Sequence, residues 1–145
     1  MRGFGPVILS QSIALAFLLA ATVARAEGAV DLAAAQKQFM NSCGVCHTVE
    51  PNAAIRQGPN LRSVVGRKAG ILAEFPTYSD ALKKAGDGGL VWNEEALDKW
   101  ITNAGAFIPG VMMPYAQADA GKRQLVIAYL KSLLNAADAG APATK

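Results

Sequence analysis

The feature that most constrains this chain is a five-residue run, Cys43-Gly44-Val45-Cys46-His47, which holds both of its cysteines and its only histidine. On a helical turn Cys43 and His47, four apart, share a face, with Cys46 beside them. Two thiols and one imidazole are thereby offered to a single flat group. This is the attachment pattern of c-type haem, in which two thioethers hold the macrocycle and the imidazole meets the iron. Rival uses of the same residues fit less well. Two cysteines in an exported chain ordinarily suggest a disulfide, but this spacing argues otherwise. A thioredoxin-like redox pair needs a strand before its helix, and no strand-period segment is visible. A structural zinc site takes four ligands, and no second Cys or His pair exists.

Export is read from the N-terminus. Arg2 supplies a positive start, residues 3–24 carry no charge, and residues 13–21 have the length of a signal-peptide apolar core. Ala24-Arg25-Ala26 has the small-x-small form of a cleavage site. We therefore expect residues 1–26 to be a cleaved signal peptide, residues 27–135 a single domain, and residues 136–145 a flexible tail. The competing reading is an uncleaved anchor over residues 7–24, which Ser10, Gln11 and Ser12 weaken by interrupting the apolar run. Cleavage also corrects the charge. Of 14 Lys+Arg against 11 Asp+Glu, Arg2 and Arg25 leave with the signal, so twelve bases face eleven acids. The pI near 9.0 overstates how basic the exported domain is, and nothing argues for nucleic-acid binding.

The domain reads as all-α. Asp31 is placed to cap a first helix with Leu32, Ala35 and Phe39 on one stripe. Residues 51–70 are rich in Gly, Pro and Asn and read as loop. Ser79 or Asp80 starts a short helix that stops at Gly86. Asn93 caps a helix with Glu94 and Glu95 in its first turn and Ala96, Leu97, Trp100 and Ile101 on its stripe, ending near residues 103–105. Residues 107–115 hold two prolines and a glycine and read as loop. Asp119 caps the last helix, with Leu125, Val126, Ala128, Tyr129, Leu133 and Leu134 at helical spacing. Such long loops leave a thin apolar supply, since burying one Leu or Phe contributes only about 1.5–3 kcal/mol. A large apolar cofactor would complete the core.

A haem held by His47 has a sixth coordination position, and no second histidine can fill it. Met40 lies just before the attachment site on the same helix, on the wrong side of the ring. Met112 and Met113 lie in a proline-flanked loop far enough downstream to reach the other face. A thioether opposite an imidazole is the electron-transfer arrangement. A haem enzyme needs a polar distal base, and no histidine is available for one.

Beyond the cysteine motif, the chain resembles class I cytochrome c over nearly all of residues 31–135. The resemblance rests on Gly58-Pro59-Asn60-Leu61, Gly66-Arg67-Lys68-Ala69-Gly70, Tyr78-Ser79-Asp80-Ala81, Trp92-Asn93-Glu94-Glu95, Ile108-Pro109-Gly110-Val111-Met112-Met113 and residues 125–131, in that order. It implies the class I fold, helices and long loops wrapped around one covalent haem c. It places the axial sulfur at Met113 rather than Met112. It implies that the Pro59 carbonyl accepts the His47 N–H, that Tyr78 and Trp92 hydrogen-bond a haem propionate, and that Arg67 compensates the propionate charge. Phe39 resembles the first-helix aromatic that crosses the last helix at Val126 and Tyr129.

Three departures stand out. Trp100 occupies a position where relatives commonly have tyrosine, and Leu82 that of a buried asparagine. Ser42, Gly105, Ala106 and Met112 fall where basic residues typically surround the haem edge. The function implied is a monomeric periplasmic single-electron carrier, not an enzyme. Its expected donor is a quinol–cytochrome c reductase or dehydrogenase and its acceptor a terminal oxidase or reductase, with membranes met only through those complexes.

Overall fold

The computed structural model describes residues 30–134 together with Met1; the rest of the expected signal peptide and the C-terminal tail lie outside the described residues. Five helices follow in order: α1 (Leu32–Ser42), α2 (Asp80–Asp87), α3 (Glu94–Thr102), α4 (Ala104–Phe107) and α5 (Ala120–Ser132). Among the described residues there is no strand, only the isolated bridges Lys68–Val91 and Asn103–Ala116. No helix among them is long and apolar enough to cross a membrane.

Each long helix starts where a short polar side chain can take up its orphan N–H groups. Asp31 Oδ1 accepts from Ala33 and Ala34 at 2.9 and 3.1 Å. Ser79, Asn93 and Asp119 do the same for α2, α3 and α5. Helix α4 is a departure from the sequence reading. Asn103 ends α3 with extended backbone and then caps again, accepting from Ala106 at 2.9 Å. A single turn therefore stands where we expected the helix to run out into loop.

The core forms where α1 crosses α5, the most extensive helix–helix contact of the fold. Phe39 is fully buried and its ring lies 5.1 Å from that of Tyr129. Two expectations need adjustment here. Leu32, placed on the same stripe of α1 as Ala35 and Phe39, is 53% exposed, whereas those two are fully buried. On α5 the buried set is Val126, Ile127, Tyr129 and Leu130, while Leu134 lies beyond the helix and is exposed. Ile127 and Leu130 are buried because α5 faces several neighbours: α1 on one side, α3 on another, and a central cavity bordered by Val126 and Leu130. Helix α3 is tied to α5 by ion pairs, Arg123–Asp98 at 2.8 Å and Lys131–Glu94 at 2.7 Å.

Candidate haem-binding site

The cavity at the centre of the fold measures about 240 Å³ and is walled mainly by apolar side chains. Cys43, Cys46 and His47 line it where α1 gives way to a turn, and His47 N–H donates to the Cys43 carbonyl at 2.9 Å. Helix α1 ends at Ser42, and a single i-to-i+4 turn beyond it spans the motif and brings Cys43, Cys46 and His47 together on the cavity. Burial pushes the Cys43 thiol up to about 12, with the neighbouring Cys46 adding to the rise. A redox-active pair needs the opposite, a thiolate favoured near neutral pH. Among the described residues no group of three or more His, Cys, Asp or Glu side chains is placed to hold a metal ion.

Residues 56–61 lie against residues 44–50 like rungs of a ladder. Arg56 donates to the Gly44 carbonyl, and Gln57 Oε1 sits 3.1 Å from Cys46 Sγ. Gly58 N–H donates to Cys46 O at 2.9 Å, and Leu61 N–H to Thr48 O at 2.8 Å. Between these rungs His47 Nδ1 lies 2.8 Å from the Pro59 carbonyl. A carbonyl only accepts, so Nδ1 carries the proton and the Nε2 lone pair is left for a metal. Burial lowers the His47 pKa, and the bond to Pro59 partly offsets this; a neutral imidazole is the ligating form. In the sequence Gly58 stands only as part of the Gly58-Pro59-Asn60-Leu61 pattern. Its reason is steric: a Cβ there would stand 2.2 Å from His47 Cε1.

The methionine loop supplies the remaining soft donors. Val111 N–H donates to Ile108 O at 3.4 Å, and Gly110 has φ +90. Pro109-Gly110 therefore makes a tight turn whose third residue needs glycine. Both Met112 and Met113 border the cavity, but Met113 is half-buried against the core whereas Met112 is 67% exposed. Met40 is not among the lining residues. Leu82 and Trp100, two of the departures noted above, are both buried cavity walls, and Trp100 packs edge-on to Trp92 at 5.2 Å.

Arg67, Tyr78 and Trp92 complete the wall. Backbone pairing brings two of them together: Trp92 N–H donates to Arg67 O, and Gly66 N–H to Trp92 O, both at 2.9 Å. Burial lowers the Arg67 pKa and raises that of Tyr78, each partly offset by the other's charge. None of the ion pairs among the described residues engages Arg67. A half-buried guanidinium facing an apolar cavity is suited to an incoming carboxylate. Two thiols, one imidazole with a free lone pair, a half-buried thioether, apolar walls and that guanidinium together fit a haem with its propionates.

Comparisons with known proteins agree with this chemistry. No family model matches the chain. It is 39% identical over 103 residues to a cytochrome c2 of Afifella marina, covering 70% of this chain and 82% of the relative. A cytochrome c2 of Blastochloris viridis is 40% identical over 116 residues, 79% of this chain and 87% of the relative. The chain belongs to the class I cytochrome c family. Among solved structures, cytochrome cH from Methylobacterium extorquens superposes with a TM-score of 0.60 at 40% identity, covering 70% of this chain and 98% of that one. Cytochrome c2 from Rhodospirillum centenum gives 0.66 at 30% identity, covering 71% and 98%. As a class I cytochrome c, the chain has the all-α fold, carries one covalent haem c for which Cys43 and Cys46 are fitted, and is an electron carrier rather than an enzyme.

Proposed function

We propose that this cytochrome is a soluble, monomeric, periplasmic carrier of single electrons whose haem is ligated by His47 and Met113. Residues 1–26 are its cleaved signal peptide and residues 27–135 the working domain. Electrons arrive from a quinol–cytochrome c reductase or dehydrogenase and leave to a terminal oxidase or reductase, and the membrane is met only through those complexes. The observation that supports this ligation is the difference between two adjacent thioethers on the cavity that His47 lines: Met113 is partly buried against the core, whereas Met112 is 67% exposed.

Bound haem supplies the ferrous–ferric couple. The chain's own residues set its terms. His47, held as the Nδ1–H tautomer by Pro59, offers a basic Nε2. The Met113 sulfur and the apolar walls Leu82, Leu97, Trp100 and Val126 keep water from the cavity, which favours the less charged ferrous state. Arg67 offsets propionate charge while Tyr78 and Trp92 offer an O–H and an N–H to the same groups.

The test is a redox titration of purified holoprotein with its optical spectrum, on wild type, Met113→Ala and Met112→Ala. Met113→Ala is expected to abolish the weak sulfur-to-iron band and depress the midpoint potential, each 100 mV being about 2.3 kcal/mol per electron. Loss of the band in Met112→Ala instead assigns the ligand to Met112. Reduced wild type should bind carbon monoxide poorly; ready binding indicates an open sixth site and a sensor or enzyme. Intact mass of the exported protein reports cleavage after Ala26.

A further inference from the structure

The turn that accepts the His47 proton is itself held by a side chain with no role assigned above. Pro59 has no N–H, so it makes no second rung with the segment it faces. The position of its carbonyl is therefore set by its neighbours, Gly58 and Asn60. Gly58 contributes one backbone hydrogen bond, to Cys46. Asn60 is tied at three atoms. Its Nδ2 donates to the Glu50 carbonyl at 2.9 Å, reaching back to the segment that carries His47. Its Oδ1 accepts from Arg62 N–H at 2.8 Å, closing an Asx turn. Its own carbonyl accepts from Arg67 Nη2 at 3.0 Å, while Arg67 Nη1 donates to Arg62 O at 3.3 Å.

One side chain therefore shapes a turn that presents a carbonyl to the imidazole on one flank and two carbonyls to the guanidinium on the other. We infer that Asn60 is a positioning residue that couples His47 to Arg67 through the 59–62 turn and fixes the strength of the His47–Pro59 hydrogen bond. The inference rests on His47 being the axial ligand. The two amide atoms divide the work: Nδ2 anchors the turn to the His47 segment, and Oδ1 keeps the turn in the form that Arg67 binds. A weaker acceptor at Nδ1–H makes the imidazole less basic and the ferric state less favoured.

The experiment compares wild type, Asn60→Ala and Asn60→Asp holoproteins by the solvent exchange rate of the His47 Nδ1–H in the NMR spectrum, with the midpoint potential beside it. Asn60→Ala should raise that exchange at least tenfold and move the potential upward. The backbone amides of Ile127 and Leu130 in α5 should exchange as in wild type. Asn60→Asp keeps the Oδ1 acceptor and loses the Nδ2 donor, so it should also speed His47 exchange; it carries the test should the alanine variant not accumulate. Lowered thermal stability with imidazole exchange and potential unmoved makes Asn60 a scaffold residue only and overturns the inference. If wild type shows no iron-ligated imidazole, the proposed ligation fails and this coupling with it. Ligation intact with unmoved exchange overturns the coupling alone.

Discussion

Replacing Gly58 with alanine tests the geometry of the imidazole wall most directly. The added Cβ would stand 2.2 Å from Cε1, 2.6 Å from Nδ1 and 2.8 Å from Nε2 of His47. Ordinary contact begins near 3.4 Å, so ring and loop must part by about 1.2 Å. The obstacle is a whole aromatic ring rather than the tip of a flexible chain, and a covalently attached haem holds the segment that bears it. The loop is pinned in turn by the rungs at Cys46 and Thr48. Parting them by that amount takes the 2.8 Å bond to Pro59 beyond hydrogen-bonding range. Overpacking of this kind costs about 1–3 kcal/mol. Leaving the buried N–H unpaired costs about 1–3 kcal/mol more. A loss of roughly 2–6 kcal/mol is a large share of the ~5–15 kcal/mol that holds a domain together. Guanidinium unfolding of the ferric holoprotein, followed by tryptophan fluorescence, should show the midpoint fall by roughly 1 M. Gly105→Ala is the control: its nearest neighbour is Asn103 Oδ1 at 3.7 Å, and its midpoint should stay or rise slightly. A Gly58→Ala midpoint within about 0.2 M of wild type would refute the argument that this glycine exists to admit the ring.

Three further outcomes are expected. Leu82→Asn places an amide on an apolar wall of the cavity, easing water and polar groups toward the ferric state; redox titration should show a lower potential, and an unchanged or higher one counts against a dry distal side. Phe39→Ala empties the fully buried centre of the α1–α5 crossing and should cost about 3–5 kcal/mol in chemical denaturation. A loss under about 1 kcal/mol would mean that this crossing is not the structural centre. Gly105, Ala106 and Met112 are exposed and uncharged where steering bases would stand, so electron transfer with the physiological partner should depend weakly on salt. A steep fall in stopped-flow rate between low and high ionic strength removes that reading.

What the sequence made legible, and what it did not, follows from the kind of group that does the work. Cys43, Cys46, His47 and the methionine pair act through side-chain chemistry that few other residues can supply, so their identity and spacing speak before any fold is known. The caps at Asp31, Asn93 and Asp119 are legible for a similar reason: each acts within three residues of itself. Helix α4 escaped because Asn103 both ends one helix and starts another, and a one-turn element of Ala-Gly-Ala-Phe carries no period to detect. Ile127 and Leu130 escaped because a single-stripe reading assumes one neighbour, and α5 borders α1, α3 and the cavity. Of the proximal wall, the Pro59 carbonyl was signalled only through the family resemblance, and the rest was hidden more deeply. Its working groups are carbonyls, which every residue has, and its working side chains are chosen for what they lack or reach: Gly58 for a missing Cβ, Asn60 for an amide that spans to Glu50. Such choices gain meaning only once residues 56–61 lie on residues 44–50. The candidate ligands can thus be named from the chain, while the positioning of His47 is written in backbone positions that only the folded chain brings together. The His47–Pro59 bond stands at that boundary: the residue that donates is announced by the sequence, and the position of the acceptor is built by Gly58 and Asn60 on either side of it.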